Sequence, residues 1–294
     1  MTTSTSASAP APATTTGAAL PFRDRFGKLS DSYSKFRPTY PPELYAYLAA
    51  QCPQHDVAVD LGAGNGQATM SLLAHFARVV GTDGSLGQIE KARERLAAAE
   101  GAQVRDRVTF EVCKAEHVDR VVEPESVDLV TVAQAIHWFN LDPTYSAVSR
   151  ILRPNGLLAI WTYPIPTFPS APLLQSAFRA FYEHLHAHKW WDGIIRDYVD
   201  NQYANLPFPG SGTHLVEVLP KPAPWVVTRS WTFDDLVGFL GTWSAVGRAR
   251  DEGGVDIVGE WSGRLREAWP KDEGEVQVQW TIHMRVAKKQ VEQY

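Results

Sequence analysis

The sequence predicts an α/β fold, a doubly wound and mostly parallel sheet of seven strands with a helical cap inserted in the C-terminal half. Three observations predict it. Short apolar runs alternate with helical stretches between about residues 57 and 163. A turn with glycines at 62, 64 and 66 follows the first run, and an acid, Asp83, closes the second. Strands covered by helices on both faces read as continuous apolar runs, and parallel neighbours need a crossover helix between them.

The elements follow in order. Residues 1–21 are nearly all Thr, Ser, Ala, Pro and Gly. They lack the apolar side chains to offset chain ordering, so a disordered tail is expected. Thr39-Tyr40-Pro41-Pro42-Glu43-Leu44 marks a helix start, because proline is tolerated in the first turn. Val57–Leu61, Arg78–Thr82, Val108–Val112, Val127–Val132 and Gly156–Tyr163 are strand candidates, and Ala68–Ala77, Ser85–Ala99 and Thr144–Leu152 are helix candidates between them. Prolines 164, 166, 169 and 172 mark a loop, after which 173–200 reads as helical and aromatic. His214–Leu219 is a short strand, 233–246 a helix capped by Thr232 or Asp234, 255–268 another helix, and Val276–Val286 an alternating last strand. The expected organisation is a tail (1–21), cap helices with a ligand-binding core (22–163), a helical and aromatic lid (164–230), and the remainder of the core (231–294).

Composition narrows the function. The net charge of −5 lacks the basic surplus that binding to phosphate backbones favours, so nucleic acid is not an expected partner. No run of 18 apolar residues is present, and the N-terminus lacks the basic and apolar regions of a signal peptide, so no membrane association is expected. Cys52 and Cys113 form no CxxC pair, which fits a reducing cytosol and a cytoplasmic location. His184, His186 and His188 imitate a metal-ligand run, but on a helix only His184 and His188 share a face, so no metal is expected.

The chemistry lies in Asp60-Leu61-Gly62-Ala63-Gly64-Asn65-Gly66. A strand–glycine turn–helix lets a ligand approach the backbone. Asp83, placed to accept two ribose hydroxyls, falls in the same crevice. The spacing is GxGxG, Gln67 follows it, and Asp60 stands just before it. A carboxylate there repels a pyrophosphate and suits an ammonium, which favours S-adenosylmethionine (SAM) over a dinucleotide.

This segment resembles motif I of the class I SAM-dependent methyltransferases, whose sheet is Rossmann-like. Val79-Val80-Gly81-Thr82-Asp83 resembles the ribose-binding strand end, Ala115-Glu116 the position flanking adenine, and Leu152-Arg153-Pro154-Asn155-Gly156-Leu157-Leu158 the turn before strand five. Asn155 stands where that family commonly has glycine. Tyr33–Pro41, Ala133–Phe139 and Thr242–Ala245 are similar to the trans-aconitate methyltransferase-like group, which implies a small-molecule acceptor, often a carboxylic acid. The resemblance implies cofactor contacts at Tyr33, Asp60, Gly62, Ala63, Gly64, Gly66, Asp83, Gly84, Ala115, Glu116, Gln134 and Ala135.

The methyl acceptor is expected just past the fourth strand, at the carboxyl ends of the sheet. Trp138 and Trp243 are candidate walls of a dry pocket, and Tyr33 or Phe36 a cover for the sulfonium. His137 is a candidate base or a pocket contact. Arg37 is a candidate fork for a substrate carboxylate or a member of a structural ion pair, and Arg248 and Arg250 are weaker candidates for that role. The expected reaction is O-methylation of a carboxylic acid by a monomer or homodimer. N-, S- or C-methylation of an amino acid or natural product, and a SAM-binding sensor or partner protein that transfers nothing, are the alternatives.

Overall fold

The computed structural model describes residues 36–99, 101–210, 212–218 and 225–291. Tyr33 and the tail lie outside the described residues. Helix α1 (Pro42–Ala50) leads to β1 (Val57–Leu61), α2 (Gln67–Leu72), β2 (Arg78–Asp83), α3 (Leu86–Ala98), a short α4 (Ala102–Arg105) and β3 (Val108–Val112). A 3₁₀ segment over Ala115–Arg120 precedes β4 (Val127–Ala133), and a second, Ile136–Trp138, precedes α5 (Leu141–Ile151) and β5 (Leu152–Thr162). Then come α6 (Pro172–Ala187), α7 (Gly193–Asp200), β6 (Leu215–Glu217), β7 (Trp225–Trp231), α8 (Phe233–Gly241), α9 (Ser244–Gly253), α10 (Ile257–Ala268) and β8 (Val276–Lys289).

The sheet runs β3-β2-β1-β4-β5-β8-β6. The first five strands are parallel, and β8 returns antiparallel to β5. Both β6 and β7 pair with β8, on its Ala287–Lys289 and Val276–Ile282 stretches respectively, so eight strands stand where seven were expected. Successive residues of one strand enter opposite layers. Ala58, Val79 and Leu129 pack with Leu44, Leu48 and Ile89 from α1 and α3. Val59, Val80 and Val130 pack with Tyr145, Val148 and Ile151 of α5. A third cluster joins α6 and α8–α10 to β8 through Phe178, Phe181, Phe239, Trp243 and Trp280.

Among the elements that differ from expectation, four bear on the site or the sheet. Helix α2 stops at Leu72 instead of Ala77, because the Arg107 guanidinium takes the carbonyls of Leu73, Phe76 and Ala77. Strand β5 begins at Leu152, which pairs with Val127 before the register shifts, and Asn155 adopts the left-handed φ of +67° that asparagine tolerates. The helix expected over 233–246 divides at Thr242 and Trp243 into α8 and α9. Strand β7 was not expected: it lies within the stretch read as helical lid, yet extends the sheet. At the start of α8 the cap is Thr232, which forms a reciprocal capping box with Asp235. Among the described residues no helix is long and apolar enough to cross a membrane.

Candidate active site

The carboxyl ends of β1, β2, β4 and β5 open into a cavity of about 760 Å³, within the range of roughly 300–1,000 Å³ typical of small-molecule sites. Asp60 sits at its floor with 1 % exposure. One carboxylate oxygen accepts from Thr69 Oγ1 at 2.7 Å and the other from Thr131 Oγ1 at 2.8 Å. Burial pushes its carboxyl up to about 6, against the two hydroxyls, with the nearby Asp83 charge adding to the rise.

The glycine turn is held by backbone geometry. Gly62, Gly64 and Gly66 have φ of +67°, +54° and +79°. A Cβ at Gly62 would lie 2.5 Å from the Ala135 Cβ, so only glycine lets the turn pass beneath the end of β4. Asp83 closes the turn from β2: Gly64 N donates to one of its oxygens at 3.0 Å and Ser85 N to the other at 2.8 Å. Burial also raises the Asp83 carboxyl, against those two N–H groups.

Ten of the twelve expected cofactor positions line this cavity: Asp60, Gly62, Ala63, Gly64, Asp83, Gly84, Ala115, Glu116, Gln134 and Ala135. Gly66 does not line the cavity. It caps α2 behind the turn, where a Cβ would strike the Phe110 ring at 2.6 Å, so the close packing there requires glycine. Tyr33, the twelfth, lies outside the described residues. Phe36 lines neither cavity; its ring packs on Gly238 of α8, 2.3 Å from where a Cβ would stand. Glu116 also accepts from Asn140 N at 2.9 Å, which ties the segment after β3 to the start of α5.

Gln67, singled out after the glycine turn, lines the wall too, and residues not named as contacts from the sequence complete it, among them Tyr40, Ser85, Gln88, Lys114, Phe139 and Tyr163. Tyr163 follows the last residue of β5, so the carboxyl-end rule that pointed to Gln134 points to it as well. Gln67 Nε2 donates to the Pro38 carbonyl at 3.2 Å and fastens the segment before α1 to the helix after the glycine turn.

A smaller chamber of about 100 Å³ adjoins it, and Arg37, Gln134, Trp138 and Tyr163 line both. His137, Ile165, Trp191, Asp192, Arg196, Phe239, Thr242 and Trp243 also face the chamber. Arg37 is anchored where α8 breaks: Nε donates to Thr242 Oγ1 at 3.0 Å, Nη2 to the Thr242 carbonyl at 3.3 Å, and the guanidinium lies 5.2 Å from the Phe239 ring centroid. Arg196 stacks between Trp191 and Tyr182, at 4.8 and 4.9 Å, and pairs with Asp200 at 2.6 Å. Burial, reinforced by the Arg196 charge, lowers the His137 imidazole to about 3, so it is neutral near pH 7.

Several candidates fall elsewhere. Arg248 pairs with Glu252 and Arg250 with Asp251, and neither lines the chamber. The His184 and His188 rings stack 4.0 Å apart, and His186 lies 3.5 Å from Asp200. Among the described residues no group of three His, Cys, Asp or Glu side chains is placed to hold a metal.

Residues 59–160 match the family model of a methyltransferase domain. A methyltransferase-named protein of Dictyostelium discoideum is 34% identical over 274 residues, covering 92% of this chain and 96% of its own. A Saccharomyces cerevisiae protein named as an S-adenosylmethionine-dependent methyltransferase is 31% identical over 191 residues, 65% of this chain and 62% of its own. The solved structure of a type II methyltransferase from Anaeromyxobacter dehalogenans is 33% identical, with a TM-score of 0.71, over 87% of this chain and 100% of that one.

A glycine turn under a doubly wound sheet, with a buried and a half-buried acid at two neighbouring strand ends, defines a class of nucleoside-binding α/β enzymes. Within that class this chain belongs to the class I SAM-dependent methyltransferases, and SAM is its cofactor.

Proposed function

We propose that the enzyme transfers the methyl group to a carboxylate oxygen of a small acid seated in the smaller chamber. The observation that carries this reading is Arg37, an anchored guanidinium in the wall shared by the two cavities. A fork there suits a carboxylate and aligns it toward the larger cavity. The state of His137 supports it. An imidazole held near 3 is a weak base for stripping a phenol or an alcohol. A carboxylate is already ionised and needs no base. Trp138, Trp191, Phe239 and Trp243 give the chamber aromatic walls that keep water from the nucleophile. The motif resemblance to the trans-aconitate methyltransferase-like group supports the same substrate class.

In the larger cavity we assign Asp60 to the ammonium of the cofactor's methionine part, Asp83 to the ribose hydroxyls, and Ala115 and Glu116 to the edges of adenine. The cavity volume, the buried Asp60 and the half-buried Asp83, each with lone pairs to spare, fit these roles. The bound cofactor supplies a methyl group on a sulfonium. The protein's part is to orient the acceptor, exclude water and hold both acids in place.

Asp192 lies in the same chamber wall and favours a second reading, N-methylation of an amine-bearing acceptor. Incubation of the protein and SAM with a panel of small acids, amino acids, thiols and phenols, followed by mass spectrometry of S-adenosylhomocysteine, separates the two. Fastest release with acids is the expected result, and turnover of amines with inert acids selects the second reading. Arg37→Ala is expected to raise the KM for an acid by about 10- to 100-fold, the worth of a lost charge-assisted hydrogen bond. An unchanged KM removes Arg37 from the site.

A further inference from the structure

The smaller chamber is walled mainly by apolar side chains. Phe239 and Trp243 reach it from the aromatic cluster over β8, where both are buried and core packing accounts for them. Trp138, Trp191 and Ile195 face it as well and are only half-buried. Ile195, in the first turn of α7, belongs to none of the three core clusters among the described residues. Half-covered apolar groups around one concavity mark a wall that a ligand completes.

Among the described residues, the charged side chains that line the chamber are Arg37, Arg196 and Asp192, and Arg196 pairs with Asp200 behind it at 2.6 Å. Asp192 is fixed there as the N-cap of α7, where it accepts from Ile195 N at 3.3 Å. His137, whose Nδ1 lies 2.6 Å from the Tyr203 hydroxyl, is neutral near pH 7 and adds no cation. One carboxylate is compensated by Arg37. A second would enter beside Asp192 with Arg196 already paired, and an uncompensated charge against an apolar wall is costly.

The space suits one ring. An apolar cavity of about 150 Å³ admits benzene, and the chamber of about 100 Å³ adjoins the larger cavity across Arg37, Gln134, Trp138 and Tyr163. An acceptor with its carboxylate at that shared wall has only its body to place in the chamber. We propose that this body is a single aromatic ring, so that the methyl acceptor is an aromatic monocarboxylic acid, its carboxylate on Arg37 and its ring among Trp138, Trp191 and Ile195. The inference rests on reading the chamber as the seat of a carboxylate acceptor. Aromatic rings meet at centroid separations of about 4.5–7 Å, a spacing that Trp191 and Trp243 already show with each other at 5.4 Å. Transfer joins a carboxylate oxygen to the methyl carbon as that carbon's bond to sulfur breaks, and the electron pair stays on sulfur. The product is a neutral methyl ester, and no proton has to leave.

The test gives the full chain SAM and, in turn, phenylacetate, butyrate (a monoacid without a ring) and succinate, which carries two carboxylates. Mass spectrometry of S-adenosylhomocysteine yields kcat/KM for each. Phenylacetate is expected to lead butyrate by about 10- to 100-fold, the worth of burying a ring, with succinate last. Ile195→Asn sets a polar amide in the wall and is expected to cut the lead of phenylacetate over butyrate about tenfold, whereas Ile195→Leu keeps it. If Ile195→Asn fails to fold, the wild-type ranking still decides. Butyrate or succinate turned over as fast as phenylacetate overturns the inference and leaves the carboxylic-acid reading standing. If no acid is methylated, that reading fails, and calorimetry of the same acids on the protein saturated with S-adenosylhomocysteine decides this one. Phenylacetate binding at least tenfold tighter than the other two upholds it, and equal or absent binding overturns it.

Discussion

Gly62 and Gly66 share one sequence motif and one sign of φ, yet they serve different ends. At Gly62 the missing side chain leaves room between the turn and Ala135 beside the larger cavity. At Gly66 it leaves room for Phe110 behind the turn. Gly62→Ala is expected to weaken S-adenosylhomocysteine binding at least tenfold by calorimetry, whereas Gly66→Ala should show mainly as lost thermal stability. Asp60 sets a pH dependence. Its carboxyl is raised from 3.8 to about 6 in the fold. Between those values the folded protein without ligand binds more protons than the unfolded chain, so this group's contribution to stability declines as pH rises through that window. Pairing with an ammonium requires the ionised form. The dissociation constant of SAM is therefore expected to rise about tenfold from about pH 7 to about pH 5, and the slope should flatten in Asp60→Asn. A pH-independent wild-type constant would place the ammonium elsewhere. Residues such as Asp60, Gly62 and Asp83 were legible because each is set by its distance along the chain from a strand end. Tyr203 and Arg196 were not, because only tertiary packing brings them to His137.

At the scale of elements, the strands read as continuous apolar runs were found nearly as drawn, since burial on both faces leaves little ambiguity. Strand β7 escaped notice for a physical reason. Its inward face carries Trp225, Val227, Arg229 and Trp231, and the arginine interrupts an otherwise apolar alternation. Its outward face exposes Val226. The break between α8 and α9 was equally silent, because 233–246 carries no proline and the interruption is fixed by Arg37 holding the Thr242 carbonyl from 205 residues away in sequence. Local signals did succeed at the α8 start. Thr232→Ala removes the capping box and is expected to cost about 1 kcal/mol, a fall of about 2 °C or more in Tm for a chain of this size. Calorimetry of that variant, with an unaltered circular dichroism spectrum, checks it.

Across the whole molecule, the parallel half of the sheet supplies the larger cavity, and the aromatic cluster over β8 lines the chamber beside it. Eight of the ten tryptophans lie between Trp190 and Trp280, which points to that cluster but not to the ring that faces the chamber. Trp243 belongs to both, touching Phe178, Phe181, Tyr182, Trp191 and Phe239 while lining the chamber. Trp243→Ala is expected to cost about 3–5 kcal/mol of stability, as large-to-small changes in a packed core do. It should also raise the acceptor KM while leaving S-adenosylhomocysteine affinity within about twofold. A matching loss of cofactor affinity would mean that the two cavities are not energetically separate. The aromatic cluster is thus a second core that also lines the chamber.

The party wall formed by Arg37, Gln134, Trp138 and Tyr163 has a consequence for inhibitor chemistry. Two ligands bound side by side each lose translational and rotational freedom, but one molecule spanning the wall loses it once. An adenosyl group joined by a short arm to a carboxylate would bring its second half to Arg37 at the high effective concentration of an intramolecular contact. Such a two-headed compound should bind far more tightly than either half. The arm length that binds best would measure, in solution, the distance the methyl group has to travel.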